Sequence, residues 1–119
     1  LEQFPLVHDR GSSHGHTRVI REAYYEHPDY VPLVRRAFDR WHELEQLTGR
    51  HLLTPTGCLT LGPPGGELIE GVKASAREHG LAVEELSGPE LERRFPAFRV
   101  GDGLVGVFER RAGFLYVED

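Results

Sequence analysis

The sequence predicts an α+β fold, and three observations carry that prediction. Two stretches, at about residues 29–48 and 67–79, place apolar residues at helical spacing and end on glycine. Short runs rich in β-branched and aromatic residues, at 17–21, 52–62, 81–86 and 104–117, read as strands bounded by glycine and proline turns. Helices and antiparallel strand pairs alternate irregularly, which favours α+β packing over a regular parallel sheet. The 119 residues suit one domain with a real core, and no internal repeat or low-complexity linker divides them.

Taken in order, residues 1–4 have the look of a strand end and 5–10 form a loop. Thr17-Arg18-Val19-Ile20-Arg21 favours an extended conformation through its β-branched residues. In a strand the two arginines, three apart, point to opposite faces; in a helix they are neighbours on one face. Adjacent Val19 and Ile20 break the alternation, so a bulge or turn leaves convergence of the two guanidiniums open. The helix over 29–48 places Tyr30, Val34, Ala37, Trp41, Leu44 and Thr48 on one inward stripe. Asp29 is positioned to cap its first amides, Pro32 falls in its first turn, and Gly49 ends it. Opposite the stripe, Arg35, Arg36, Asp39, Arg40 and Glu43 read as a solvated face.

Residues 52–57 and 58–62 read as two short strands or one bent strand, with Pro55 and Gly57 permitting a kink. Pro63-Pro64-Gly65-Gly66 is a turn. A helix over 67–79 turns Ile69, Val72 and Ala76 inward and closes on Gly80, with Leu81 folding back onto it. Residues 81–86 form a strand, and Ser87-Gly88-Pro89-Glu90 carries capping-box spacing for a short helix that Pro96 stops. Residues 104–109 and 113–117 then read as a hairpin turning at Arg110-Arg111-Ala112-Gly113.

Composition excludes several classes. Nineteen acidic against fourteen basic residues give a net charge of -5, which argues against general attraction to nucleic acid. Thirteen of the fourteen basic residues are arginine, a bias of coding rather than a phosphate-binding design. No apolar run approaches the roughly 20 residues needed to span a membrane, and no signal or transit peptide is visible. The single cysteine, Cys58, excludes an internal disulfide and fits a reducing compartment, so a cytoplasmic location is expected. Within its apolar strand Cys58 reads as a small core residue. With no methionine and a start in mid-pattern, the chain reads as an internal piece of a longer protein.

Site chemistry concentrates in residues 11–21, Gly-Ser-Ser-His-Gly-His-Thr-Arg-Val-Ile-Arg. Gly11 and Gly15 let the backbone bend and approach a ligand closely. Between them Ser12, Ser13 and His14 offer short hydrogen-bonding groups. Arg18 and Arg21 bring planar, permanently charged forks suited to a carboxylate or an electron-rich cofactor edge. As bare sequence the arginines also read as surface ion pairs, His14 as a solvated loop histidine, and Ser12, Ser13 and Thr17 as ordinary loop and strand residues. A serine nucleophile is not supported, because the strand–nucleophile–helix context is missing. Two non-enzymatic alternatives stand beside an enzyme: an anion-binding domain built on Arg18 and Arg21, and a metal module using His8, His14 and His16. For the second, no acid or cysteine cluster completes the ligand set.

The pattern Gly-Ser-Ser-His-Gly-x-Thr-Arg-x-Ile-Arg, followed by Tyr30-Val31-Pro32-Leu33, resembles the monomeric sarcosine oxidase and N-methyltryptophan oxidase family of flavoenzymes. The resemblance continues through Trp41-His42-Glu43-Leu44-Glu45, Thr56-Gly57-Cys58-Leu59, Glu78-His79-Gly80-Leu81 and Phe95-Pro96, and so covers essentially the whole chain. It implies an FAD-dependent enzyme that oxidises the C–N bond of a secondary amino acid with oxygen as acceptor. Residues 1–27 would close the FAD-binding portion of a dinucleotide fold. Residues 28–119 would begin a substrate domain built on a mixed or antiparallel sheet. The chain alone would be inactive.

The resemblance also assigns roles. Arg21 clamps the substrate carboxylate, His14 lies in the active site, and Arg18 lies beside the flavin ring. Ser12, Ser13 and Thr17 are near the cofactor. Glu2 is the acid that bonds the cofactor ribose at the end of a strand. His16 departs from the acidic or amide residue expected there. Cys58 is not the family's covalent flavin attachment point, which lies much further along.

Overall fold

The computed structural model describes residues 3–5, 8–12, 14–101 and 103–118. Two three-stranded sheets carry the fold, and every pairing in them is antiparallel. In the first, β1 (Thr17–Arg21) and β2 (Leu53–Pro55) flank β6 (Ala112–Tyr116). In the second, β3 (Cys58–Gly62) and β4 (Val83–Leu86) flank β5 (Val105–Glu109). Helix α1 (Tyr30–Thr48) covers the first sheet through a cluster of Ile20, Phe38, Leu53 and Leu115. Helix α2 (Glu67–His79) covers the second through Ile69 and Val72, which pack with Ala23 and Val107. The short α3 (Gly88–Arg94) buries Leu91 against β5, where Gly106 leaves room for it. The fold is therefore α+β, as the irregular alternation of elements predicts.

The expected hairpin between residues 104–109 and 113–117 does not form. β5 and β6 are strands of different sheets, joined by a bend at Arg110-Arg111. The chain crosses between sheets a second time from β2 to β3, and the two crossings run side by side. The N–H groups of Thr56 and Gly57 donate to the Ala112 carbonyl at 3.2 and 2.9 Å. A hairpin would close Arg110-Arg111 into a turn pointing at solvent. Instead β5 pairs with β3 and β4 and β6 with β1 and β2, while Arg111 at the crossing approaches the buried Glu22 carboxylate at 3.1 Å.

Three local expectations about α1 also change. Asp29 has helical dihedrals and caps nothing; its carboxylate faces His27 Nδ1 at 3.4 Å instead. The inward stripe is rotated to Val31 and Phe38, with Val34, Ala37 and Trp41 at its edge, while Tyr30, Leu44 and Thr48 are exposed. Arg35 is not merely solvated: it approaches Glu22 at 3.4 Å and donates to the His79 carbonyl at 3.1 Å. By contrast Gly49 and Gly80 end their helices in left-handed conformation as expected. The Ser87–Glu90 capping box forms, with the Glu90 carboxylate accepting the Ser87 N–H at 2.9 Å and its hydroxyl at 2.6 Å. Those two bonds hold the Glu90 carboxyl below its ordinary range.

At the start of the chain Gln3 and Phe4 belong to no strand, and Leu1 lies outside the described residues.

Candidate functional site

β1 is regular. Its register with β6 pairs Thr17 with Tyr116, Val19 with Phe114 and Arg21 with Ala112 on one face, and Arg18 with Leu115 and Ile20 with Gly113 on the other. No bulge reconciles the two arginines, so they leave the sheet on opposite sides.

Arg18 turns back onto the loop that precedes it. Its Nε donates to the Ser12 carbonyl at 2.5 Å and its Nη1 to the Thr17 carbonyl at 2.7 Å. Gly15 makes this possible: its φ is +108°, and a Cβ there would sit 3.1 Å from Arg18 Nη1. The loop is tied down from β6, because the Gly15 N–H donates to Glu118 Oε1 at 2.8 Å and the Val117 N–H to the His16 carbonyl at 3.3 Å. The outcome is an immobilised guanidinium beside a bare glycine backbone. Ser12 and Thr17 take part through their carbonyls and are exposed, as is His14, whose N–H closes a turn onto the Gly11 carbonyl. Glu2 and Ser13 lie outside the described residues.

Arg21 occupies a different setting. Its guanidinium lies over the ring of Tyr24 at 4.9 Å and near that of Tyr25 at 5.8 Å, and Nη2 approaches Glu26 at 3.4 Å. Its Nε is buried and makes no hydrogen bond among the described residues. The side chain as a whole is 29% exposed, so part of the charged fork remains open to an anion.

The segment after Arg21 is fixed by contacts from two elements, β5 and α2. The Glu109 carboxylate, 5% exposed, accepts the N–H groups of Glu22 and Ala23 at 2.9 and 3.1 Å. The Ser75 hydroxyl of α2 donates to the Tyr24 carbonyl. Helix α2 also abuts Tyr25 so closely that a Cβ on Gly71 would lie 2.2 Å from the Tyr25 carbonyl oxygen. Burial pushes the Glu109 carboxyl above the ordinary range; the two peptide bonds oppose that shift, and the neighbouring charge of Glu22 adds to it. Burial likewise raises the thiol of Cys58, which stands opposite Glu109 across β3 and β5, and the Glu109 charge adds to that rise. Cys58 is half-buried and is not an activated thiolate.

Sequence reasoning missed Glu109, Ser75, Gly71 and the tyrosine pair. Two signals were present. Glu109 has the strand parity of the apolar Val105 and Val107, which points it inward. Gly71 sits inside a helix, where glycine is unfavourable without a packing reason. Among the described residues no group of three or more His, Cys, Asp or Glu is arranged to hold a metal ion. Among them no helix is long and apolar enough to cross a membrane.

Comparisons with known proteins agree with this fold. The model of the FAD dependent oxidoreductase family matches residues 1–118. The chain is 39% identical over its whole length to the monomeric sarcosine oxidase of Streptomyces avermitilis. It is 40% identical over 93% of its length to the N-methyl-L-tryptophan oxidase of Yersinia pestis strain Pestoides F. It spans 31% and 30% of those two relatives, about a third of each. Among solved structures, a variant of NikD, described as an unusual amino acid oxidase essential for nikkomycin biosynthesis, superposes in its open form with a TM-score of 0.80 at 25% identity. That match covers 98% of this chain and 30% of NikD. A match that runs through both sheets, all three helices and residues 11–21 shows that the chain belongs to the FAD dependent oxidoreductase family.

Proposed function

We propose that the full-length protein containing this chain is an amine oxidase that oxidises the C–N bond of a secondary amino acid to an imine, with oxygen as electron acceptor. The observation that carries this reading is Arg21: a permanently charged guanidinium packed on two tyrosines and still 29% exposed suits a small carboxylate. The names of the relatives, sarcosine oxidase and N-methyl-L-tryptophan oxidase, point to N-methylated amino acids. FAD, when bound, supplies the two-electron acceptor for the C–N bond.

This chain's own residues bind and orient. Arg21 presents its fork to the substrate carboxylate and so fixes which carbon faces the cofactor. Arg18, held by the Ser12 and Thr17 carbonyls, keeps a fixed positive charge on the cofactor side, where it favours the electron-rich reduced state. Its Nε and Nη1 are taken by those carbonyls, which leaves Nη2 as the donor for an anionic ring edge. His14 lies at the mouth of the same loop as a substrate-side hydrogen-bonding group, and Ser12, Ser13, Thr17 and Glu2 border the cofactor. In this reading residues 1–27 close the FAD-binding portion and residues 28–119 begin the substrate domain. The lone cysteine suits a cytoplasmic protein.

The test is direct. Purified full-length protein should be yellow, its flavin should bleach anaerobically on addition of N-methylglycine or N-methyl-L-tryptophan, and readmitted oxygen should yield hydrogen peroxide. Bound flavin that no secondary amino acid reduces would contradict the proposal.

A further inference from the structure

We infer that Glu109 is a positioning residue for Arg21: by accepting the peptide N–H groups of Glu22 and Ala23, its carboxylate sets the direction in which Arg21 leaves the sheet. The inference rests on the reading of Arg21 as the carboxylate clamp.

Glu109 ends β5, in the sheet that does not contain Arg21, and the groups it binds lie 87 and 86 residues away in sequence. β1 stops at Arg21, so Glu22 and Ala23 have no strand ladder to satisfy their N–H groups. Both are buried, and a buried peptide donor must be matched. One oxygen of Glu109 matches both. An apolar residue would serve the packing at this position better, because Val107 on the same parity is 2% exposed among Ile69, Val72 and Ala23. A carboxylate there does more than fill the core, because it matches the two buried peptide donors that an apolar side chain would leave unpaired.

The main route from Glu109 to Arg21 is the backbone, since the Arg21 charge is the weakest of the influences on the Glu109 carboxyl. Arg21 forms its ion pair with Glu26 at 3.4 Å. The next residue, Glu22, is held by Arg35 and Arg111 at 3.4 and 3.1 Å. Tyr24 and Tyr25, against which the guanidinium lies, are held by Ser75 and by the close approach of α2. Glu109 is the contact nearest the residue whose aim matters. Shortening it by one methylene withdraws the acceptor while keeping the charge. Replacing it by glutamine removes the charge while keeping an oxygen of equal reach.

These two variants order the outcomes. In the full-length enzyme loaded with FAD, the dissociation constant of acetate is read from the perturbed flavin absorbance, with KM and kcat for N-methylglycine measured alongside. E109D should weaken acetate and raise KM by about tenfold or more, as for a misplaced binding group, with kcat at saturation little changed. E109Q should stay within about threefold of the parent, and in the R21M background E109D should add no further loss of acetate affinity. E109Q as damaging as E109D would overturn the inference in favour of a charge effect. E109D that lowers the melting temperature but binds acetate normally would overturn it in favour of a packing role, and so would a full E109D effect in the R21M background. An R21M enzyme that binds acetate like the parent would instead bring down the clamp reading itself.

Discussion

Arg21→Met in the full-length enzyme will lower kcat/KM for secondary amino acids by the equivalent of about 2 to 3 kcal/mol, while the flavin content stays near that of the parent. Removing one partner of a hydrogen-bonded charge pair costs about 2 to 5 kcal/mol when the pair is desolvated. The Arg21 side chain is 29% exposed, so solvent screens part of that and the lower half of the range applies. Methionine keeps the length and the contact with Tyr24 and Tyr25, so the loss reports charge and hydrogen bonding rather than packing. Steady-state kinetics with N-methylglycine, beside a secondary amine that lacks the carboxylate, separates the effects. The penalty should fall on the first substrate and spare the second.

Gly71→Ala will destabilise the protein, against the sign that helix propensity predicts. In the interior of an exposed helix this change is worth about 1 kcal/mol of stabilisation. Here the new methyl carbon would lie 2.2 Å from the Tyr25 carbonyl oxygen and 2.9 Å from its carbonyl carbon, atoms of backbone that cannot rotate away. Helix and segment must separate. Overpacking of this kind costs about 1 to 3 kcal/mol, and the Ser75–Tyr24 bond one turn along the helix is lost or lengthened with it. The net result should be a lower melting temperature together with a raised KM, because Tyr24 and Tyr25 form the bed of Arg21. A rise in melting temperature would show that α2 and residues 22–25 are not packed as described.

The parts of the structure legible in the sequence are those set by local chemistry. Gly49, Gly80 and the Ser87–Glu90 pair mark helix ends through backbone conformation and caps that involve neighbours within a few residues. Ile69, Val72 and Ala76 were readable because α2 has one buried face and clear spacing. What escaped depends on residues far apart. The hairpin reading of residues 104–117 failed because nothing local distinguishes a turn at Arg110-Arg111 from a crossing between sheets; the difference is made by the partner strands, β3 and β4 for one and β1 and β2 for the other. The α1 stripe was misplaced by about one position because Leu33, Leu44 and Leu47 are apolar yet exposed, which blurs the phase of the pattern. In the site, residues 11–21 were found by composition, whereas Glu109, Ser75 and Gly71 act on the backbone of 22–25 and carry no motif. The regularity of β1 answers the question its sequence leaves open: Arg18 and Arg21 do not converge.

That separation is the centre of the account, and one paired measurement tests it. The flavin reduction potential and the dissociation constant of acetate are determined for Arg18→Met and Arg21→Met in the full-length enzyme. Arg18→Met should lower the potential, since a fixed positive charge that stabilises the reduced ring is gone, and should leave acetate binding nearly unchanged. Arg21→Met should weaken acetate and leave the potential nearly alone. If the two variants shift both quantities alike, the opposite faces of β1 do not divide cofactor from substrate and the account is wrong.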